Sequence, residues 1–177
     1  TGLSPGIWLR FLDDIFFVWS HGEESLKEFL EFMQGYSERK KLRTNLKFTF
    51  EMGLSVPFLD TVISIGDMGY LQTDLYSKDT DAHLYLRNSS CHPRSCIKGL
   101  VKGELLRARR ICSKEADFKT AAEKMKGFFV DRGIDKRLVE EKVKEVSELQ
   151  RDEVLTYKKR AQTNRVPFVV SFHPRLR

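Results

Sequence analysis

The sequence predicts an α+β fold on three observations. Short aromatic and β-branched runs fill its first half, one helical repeat interrupts them, and from Pro93 the apolar spacing becomes helical.

In chain order, Ile7 to Leu12 and Ile15 to Trp19 are rich in Ile, Phe, Val and Trp, so they read as two strands with Asp13-Asp14 at the turn. Ser20 and Glu23 have the spacing of a capping box. Leu26, Phe29, Leu30 and Met33 then recur at helical spacing, so one helix is expected to end near Gly35. Lys47 to Met52, Val56 to Ile65 and Tyr70 to Tyr76 alternate apolar and polar residues, with turn signals at Gly53 and at Asp67-Met68-Gly69. Three more strands are expected there, the last two as a hairpin. The helical pattern after Pro93 runs through Ile97, Leu100, Val101, Leu105, Leu106 and Ile111, then through Phe118, Ala121, Ala122, Met125, Phe128 and Phe129, until Gly133 breaks it. Asp135 is the expected N-cap of a third helix, with Val139, Val143, Val146 and Leu149 on one face and Glu-Lys pairs on the other. Such helices cannot bury an apolar face alone, so they are expected to form a small bundle.

The chain of 177 residues is 41% hydrophobic, enough to bury a core as two small subdomains. Its net charge of +6 comes from 31 Lys and Arg against 25 acids, and the basic residues cluster. Arg39-Lys40-Lys41 with Arg43 and Lys47 form one cluster; Arg94, Lys98, Lys102, Arg107, Arg109 and Arg110 form a second; Lys158-Lys159-Arg160 with Arg165 form a third. Surfaces of this kind attract phosphate backbones without reading sequence, and the second cluster is the expected nucleic-acid contact. A solvated helix face is the ordinary alternative. Three cysteines and no secretory leader fit an intracellular, reducing setting. No apolar run approaches the roughly 20 residues needed to cross a bilayer. His83, Cys91, His92, Cys96 and Cys112 fit no standard zinc-finger spacing, and His92-Pro93 more simply marks a turn into a helix. The 13 Phe are expected mainly in the core, with Phe11 and Tyr85 as candidates to approach nucleic acid.

Asp13 and Asp14 carry the chemistry. Two carboxylates side by side repel each other and stay ionised beside a cation, and hard oxygen ligands select Mg²⁺ or Mn²⁺. Asp also tolerates tight turns and stays solvated there, so the pair alone reads first as ordinary turn chemistry. The wider match favours the metal. Arg10 to Trp19 resembles motif C of reverse transcriptases, with Phe11 where most carry Tyr. The blocks Lys47 to Glu51, Pro57 to Thr61, Asp74 to Lys78, Cys91-His92-Pro93, Gly103 to Ser113, Val166 to Val170 and His173-Pro174 extend the resemblance, in order, to the Penelope-like retroelements.

The resemblance implies a partial reverse-transcriptase palm, an antiparallel sheet with a packed helix, followed by an α-helical thumb bundle. Residues 1–90 would be the C-terminal half of the palm with the motif C hairpin, 91–163 the thumb with a helix-turn-helix-like module, and 164–177 a C-terminal connection. It implies RNA-directed DNA polymerisation on an RNA template, with a DNA primer and deoxynucleotide triphosphates, by two-metal nucleotidyl transfer. Asp13 is then the firmer metal ligand and Asp14 its support. Phe58-Leu59-Asp60 stands where the family carries its primer grip, and Lys47 is a candidate for the general acid that protonates pyrophosphate. Only nine residues precede Arg10. Motifs A and B, which precede motif C in the family, are therefore expected upstream of this chain; the GIY-YIG-type nuclease often found at the C-terminal end of such elements is not in it, and the isolated piece is expected to be inactive. A nuclear location follows from what such retroelements do. The alternative is a non-catalytic nucleic-acid-binding protein derived from such an element.

Overall fold

The computed structural model describes residues 2–41, 47–66 and 68–156, as an α+β fold of helices and two small antiparallel sheets. Arg43 of the first basic cluster, the whole third cluster and the expected connection 164–177 lie outside the described residues. The chain divides into two units, Thr1–Leu59 and Asp60–Arg177.

In the first unit, β1 (Ile7–Phe11) and β2 (Asp14–Val18) pair antiparallel in a register running from Ile7 opposite Val18 to Phe11 opposite Asp14. Leu12 and Asp13 are thus the two-residue connection, and Asp14 opens the second strand. Helix α1 (Glu23–Gln34) follows. The capping box expected at Ser20 and Glu23 does not form. The helix begins later, with Gly22 as N-cap at φ +89°, a conformation glycine takes without steric cost, so Ser20 lies too far upstream to cap it. Trp19 fastens this corner instead, its Nε1–H donating to Gly22 O and to Ser25 Oγ, both at 3.1 Å.

Cross-strand neighbours Trp8 and Phe17 stack at 5.4 Å, and Phe29 of α1 meets Phe17 edge-on at 5.7 Å and stacks on Trp19 at 4.9 Å. Each such pair adds about 0.5–1.5 kcal/mol beyond area burial, so this aromatic cluster holds the helix to one face of the hairpin. Phe16, on the other face, is buried 5.6 Å from Phe58 of β3 (Ser55–Phe58). Between them come the single turn α2 (Tyr36–Arg39) and residues 47–52, which form no strand. Phe48 and Phe50 keep the expected alternation and stack at 6.2 Å, but a strand needs a paired neighbour for its backbone groups, and this segment has none among the described residues.

In the second unit, β4 (Thr61–Ile65) and β5 (Leu71–Leu75) form the expected hairpin, Thr61 opposite Leu75 and Ile65 opposite Leu71. The run read as one strand, Val56 to Ile65, is broken at Leu59, whose φ of +57° turns the chain. Three helices follow: α3 (Arg94–Ile111), α4 (Glu115–Asp131) and α5 (Lys136–Ser147), then a short α6 (Arg151–Leu155) that periodicity did not reveal. Val101, Leu105, Phe118, Phe129, Val139 and Val146 are fully buried at the centre of one core.

The α4–α5 corner is a Schellman motif. Gly133, at φ +76°, donates its N–H to Val130 O at 2.8 Å, and Ile134 donates to Phe129 O at 3.1 Å while both side chains enter the core. Asp135 then caps α5, accepting from Arg137 N at 3.0 Å. The α3–α4 corner is tied to β5. Ser113 N donates to Thr73 O at 2.8 Å, Thr73 N to Ser113 Oγ at 2.9 Å, and the Cys112 thiol to Asp74 Oδ1 at 3.3 Å. No helix among the described residues is long and apolar enough to cross a membrane.

Candidate carboxylate site and nucleic-acid interface

The strands hold Asp13 and Asp14 at the exposed tip of the hairpin. Leu12, 73% exposed, turns the chain at φ +53°, a left-handed conformation that costs a branched residue about 1–2 kcal/mol. Arg10 clasps this turn, Nε donating to Leu12 O at 2.8 Å, so its guanidinium is engaged by backbone. Among the described residues, neither aspartate takes part in an ion pair or a side-chain hydrogen bond. Adjacent carboxylates with their oxygens unclaimed are the donor type that Mg²⁺ or Mn²⁺ takes. Two such ligands fit the ion in kind. No third His, Cys, Asp or Glu joins them among the described residues.

Lys47 is exposed and stands outside any strand. The segment read as a primer grip is split between two jobs. Phe58 packs on Phe16, whereas Asp60 accepts from Arg107 Nε at 2.9 Å and, through its carbonyl, from Tyr76 N at 3.0 Å.

The second basic cluster lies wholly on α3, and its six cations separate sharply. Arg94 and Lys98, four residues apart on neighbouring turns, are exposed and have no acidic partner among the described residues. Arg110 is exposed and uses Nε on Val154 O at 3.0 Å. Lys102 is paired with Glu145. Arg107 bridges Asp60 at 2.9 Å and Glu104 at 3.1 Å, and these carboxylates raise its pKa against the opposing effect of its partial burial. Arg109 corrects the sequence expectation. It is 6% exposed, donates from Nε to Leu149 O at 2.9 Å, pairs with Glu115, and lies 4.8 Å over the Phe118 ring. A guanidinium enclosed in this way has no face left for a phosphate. The surface is therefore narrower than the run of basic residues suggested.

Helix α5 carries Lys136, Arg137, Lys142 and Lys144 against Glu140, Glu141 and Glu145, so its charges nearly cancel, where α3 sets six cations against Glu104 alone.

Cys91 and Cys96 are exposed, whereas burial pushes the Cys112 thiol up to about 12, so it stays protonated at neutral pH. His83 is held by Ser77 Oγ at 3.3 Å and Asp81 Oδ2 at 3.4 Å, and stacks on Phe128 at 4.0 Å. His92 Nδ1 lies 3.2 Å from Ser90 Oγ.

Sequence reasoning missed Arg87 and Arg132, which share a cavity with Leu100. Neither belongs to a basic run. The alternation Leu84, Leu86 beside Arg87 was the available signal.

A family model described as the animal helix-turn-helix domain matches residues 84–144. The match spans α3, α4 and most of α5, and the four residues Arg132 to Asp135 between α4 and α5 form the short Gly-containing turn of such motifs. The helix-turn-helix-like module expected within 91–163 is thus matched over 84–144, beginning seven residues earlier. No curated protein and no solved structure matches the chain.

Proposed function

We propose that this chain is part of an RNA-directed DNA polymerase of a retroelement resembling the Penelope-like group, joining a metal-binding carboxylate hairpin to a helical module that holds nucleic acid. The observation that carries the reading is the Asp13-Asp14 pair, exposed at the tip of a tight hairpin with no competing hydrogen bond or ion pair among the described residues. Asp13 and Asp14 would hold Mg²⁺ or Mn²⁺. The bound ion supplies charge stabilisation at the phosphoryl group being transferred from a deoxynucleotide triphosphate to a DNA primer on an RNA template. The strands Ile7–Phe11 and Asp14–Val18 keep the two carboxylates adjacent, and the aromatic cluster against α1 holds that hairpin rigid. The match to a helix-turn-helix domain supports nucleic-acid binding by the second unit, and Arg94, Lys98 and Arg110 are its available phosphate contacts.

The test is primer extension on an RNA template with Mg²⁺, using a protein that carries this chain together with the sequence encoded upstream. Extension abolished by Asp13→Asn supports the reading; extension that survives Asp13→Asn removes the hairpin from the chemistry. The helix-turn-helix match also favours a second reading, a non-catalytic nucleic-acid-binding protein derived from such an element. Duplex binding without extension in any form selects it.

A further inference from the structure

Residues 84–90 leave an open cavity of about 560 Å³, lined among others by Leu84, Leu86, Arg87, Ser89, Leu100 and Arg132. Its walls are of two kinds. Leu84, 74% exposed, and Leu86, 37% exposed, join half-buried Leu100 in an apolar surface that water solvates poorly. Arg87 and Arg132 bring two guanidinium groups. No carboxylate lines the cavity, and neither arginine has an acidic partner among the described residues. Arg132 is fixed in place, its Nε donating to Tyr85 O at 2.7 Å, while Tyr85 is itself packed on Phe129 at 4.8 Å. The turn carrying Arg87 is closed by Ser90 N donating to Arg87 O at 3.0 Å, and Ser89 is exposed beside it. Two unneutralised cations raise the local potential, and a guanidinium is the side chain best shaped to take two phosphate oxygens. An apolar surface next to them suits the face of a base. The volume lies within the range of small-ligand sites.

We propose that this cavity holds one unpaired nucleotide of a nucleic-acid strand, its base against Leu84, Leu86 and Leu100 and its phosphate on Arg87 and Arg132. The assignment rests on the nucleic-acid-binding reading above and gives it a second contact, for single-stranded rather than paired nucleic acid.

The test is fluorescence anisotropy of the full chain with a labelled single-stranded oligonucleotide and with the blunt duplex of the same sequence, for wild type, Arg87→Glu, Leu84→Asp and Lys119→Glu. Arg87, Leu84 and Lys119 are all exposed, and circular dichroism checks that each variant is folded. Arg87→Glu is expected to weaken single-strand binding about tenfold, the loss of one charge-assisted phosphate contact, and to reduce the salt slope by about 0.7. Leu84→Asp weakens single-strand binding as well, duplex binding changes less than about twofold in both, and Lys119→Glu, on α4, alters neither. Wild-type binding that Arg87→Glu leaves intact, or weakens equally for strand and duplex, overturns the cavity assignment and leaves the broader reading standing. Wild type that binds neither nucleic acid overturns both.

Discussion

Arg109 illustrates how much a single residue's environment decides. In the sequence it is one of six cations, yet its guanidinium lies under the helical core, held by Leu149 O, Glu115 and the Phe118 ring. Truncation would strand the Leu149 carbonyl and the Glu115 carboxylate and leave a void beside Phe118. Arg109→Ala is expected to lower unfolding stability by about 2–3 kcal/mol, read from urea denaturation, whereas Lys98→Ala, at an exposed site, changes it by less than about 0.5 kcal/mol. A signal for this burial did exist. Arg109 follows Leu105 by four residues and precedes Cys112 by three, so helical spacing puts it on the apolar face. Residue type alone groups it with the other five cations; its angle on the helix sets it apart. Asp13 and Asp14 were legible for the opposite reason. Adjacent acids between two apolar runs are conspicuous in any order of reading, and the hairpin register puts them at the tip.

Among the elements, those whose signal is local were legible. The Asp13-Asp14 hairpin, α1, the β4–β5 hairpin, the start of α3, the end of α4 and the N-cap of α5 follow from apolar period and turn residues, whereas the break between α3 and α4 and the end of α5 at Ser147, short of Leu149, do not. The strand expected over 47–52 was not, because a strand depends on a distant partner that periodicity cannot supply. The start of α1 was missed because two capping patterns compete there and Gly22 settles the matter through its φ. The α4–α5 corner depends on Gly133 in the same way. A Cβ there would meet only ordinary van der Waals contact, with Asn88 at 3.9 Å, so the cost of Gly133→Ala is conformational, about 1 kcal/mol, measurable as a lower thermal midpoint. The α3–α5 contact carries an acid-sensitive link. Lys102 and Lys142 both bond Glu145 and hold its carboxyl at about 2, well below the ordinary carboxylate range. A depressed carboxyl stabilises the folded state above its unfolded pKa and loses that contribution as pH falls from there towards 2. The difference in urea midpoint between wild type and Glu145→Gln should therefore be largest near neutral pH and close as pH falls from about 4.5 to 2.

For the whole molecule, the net charge of +6 overstates what is available to a phosphate backbone. Cations that already have partners inside the fold release few counterions on binding, so the response to salt should follow the free cations. On α3 these are Arg94, Lys98 and Arg110, since Lys102 and Arg107 are paired with carboxylates and Arg109 is enclosed. Each phosphate neutralised in duplex DNA contributes about −0.9 to the slope of log affinity against log salt. The combined variant Arg94→Gln, Lys98→Gln and Arg110→Gln is thus expected to reduce that slope by about 3 in a duplex titration, while Lys102→Gln with Arg107→Gln leaves it nearly unchanged and instead lowers folding stability. If the second pair moves the slope as much as the first three, their ion pairs open on binding and the whole cluster contacts nucleic acid. If neither set moves it, any contact with duplex runs through another face of residues 84–144, and α5, whose four cations and three acids nearly balance, becomes the element to vary.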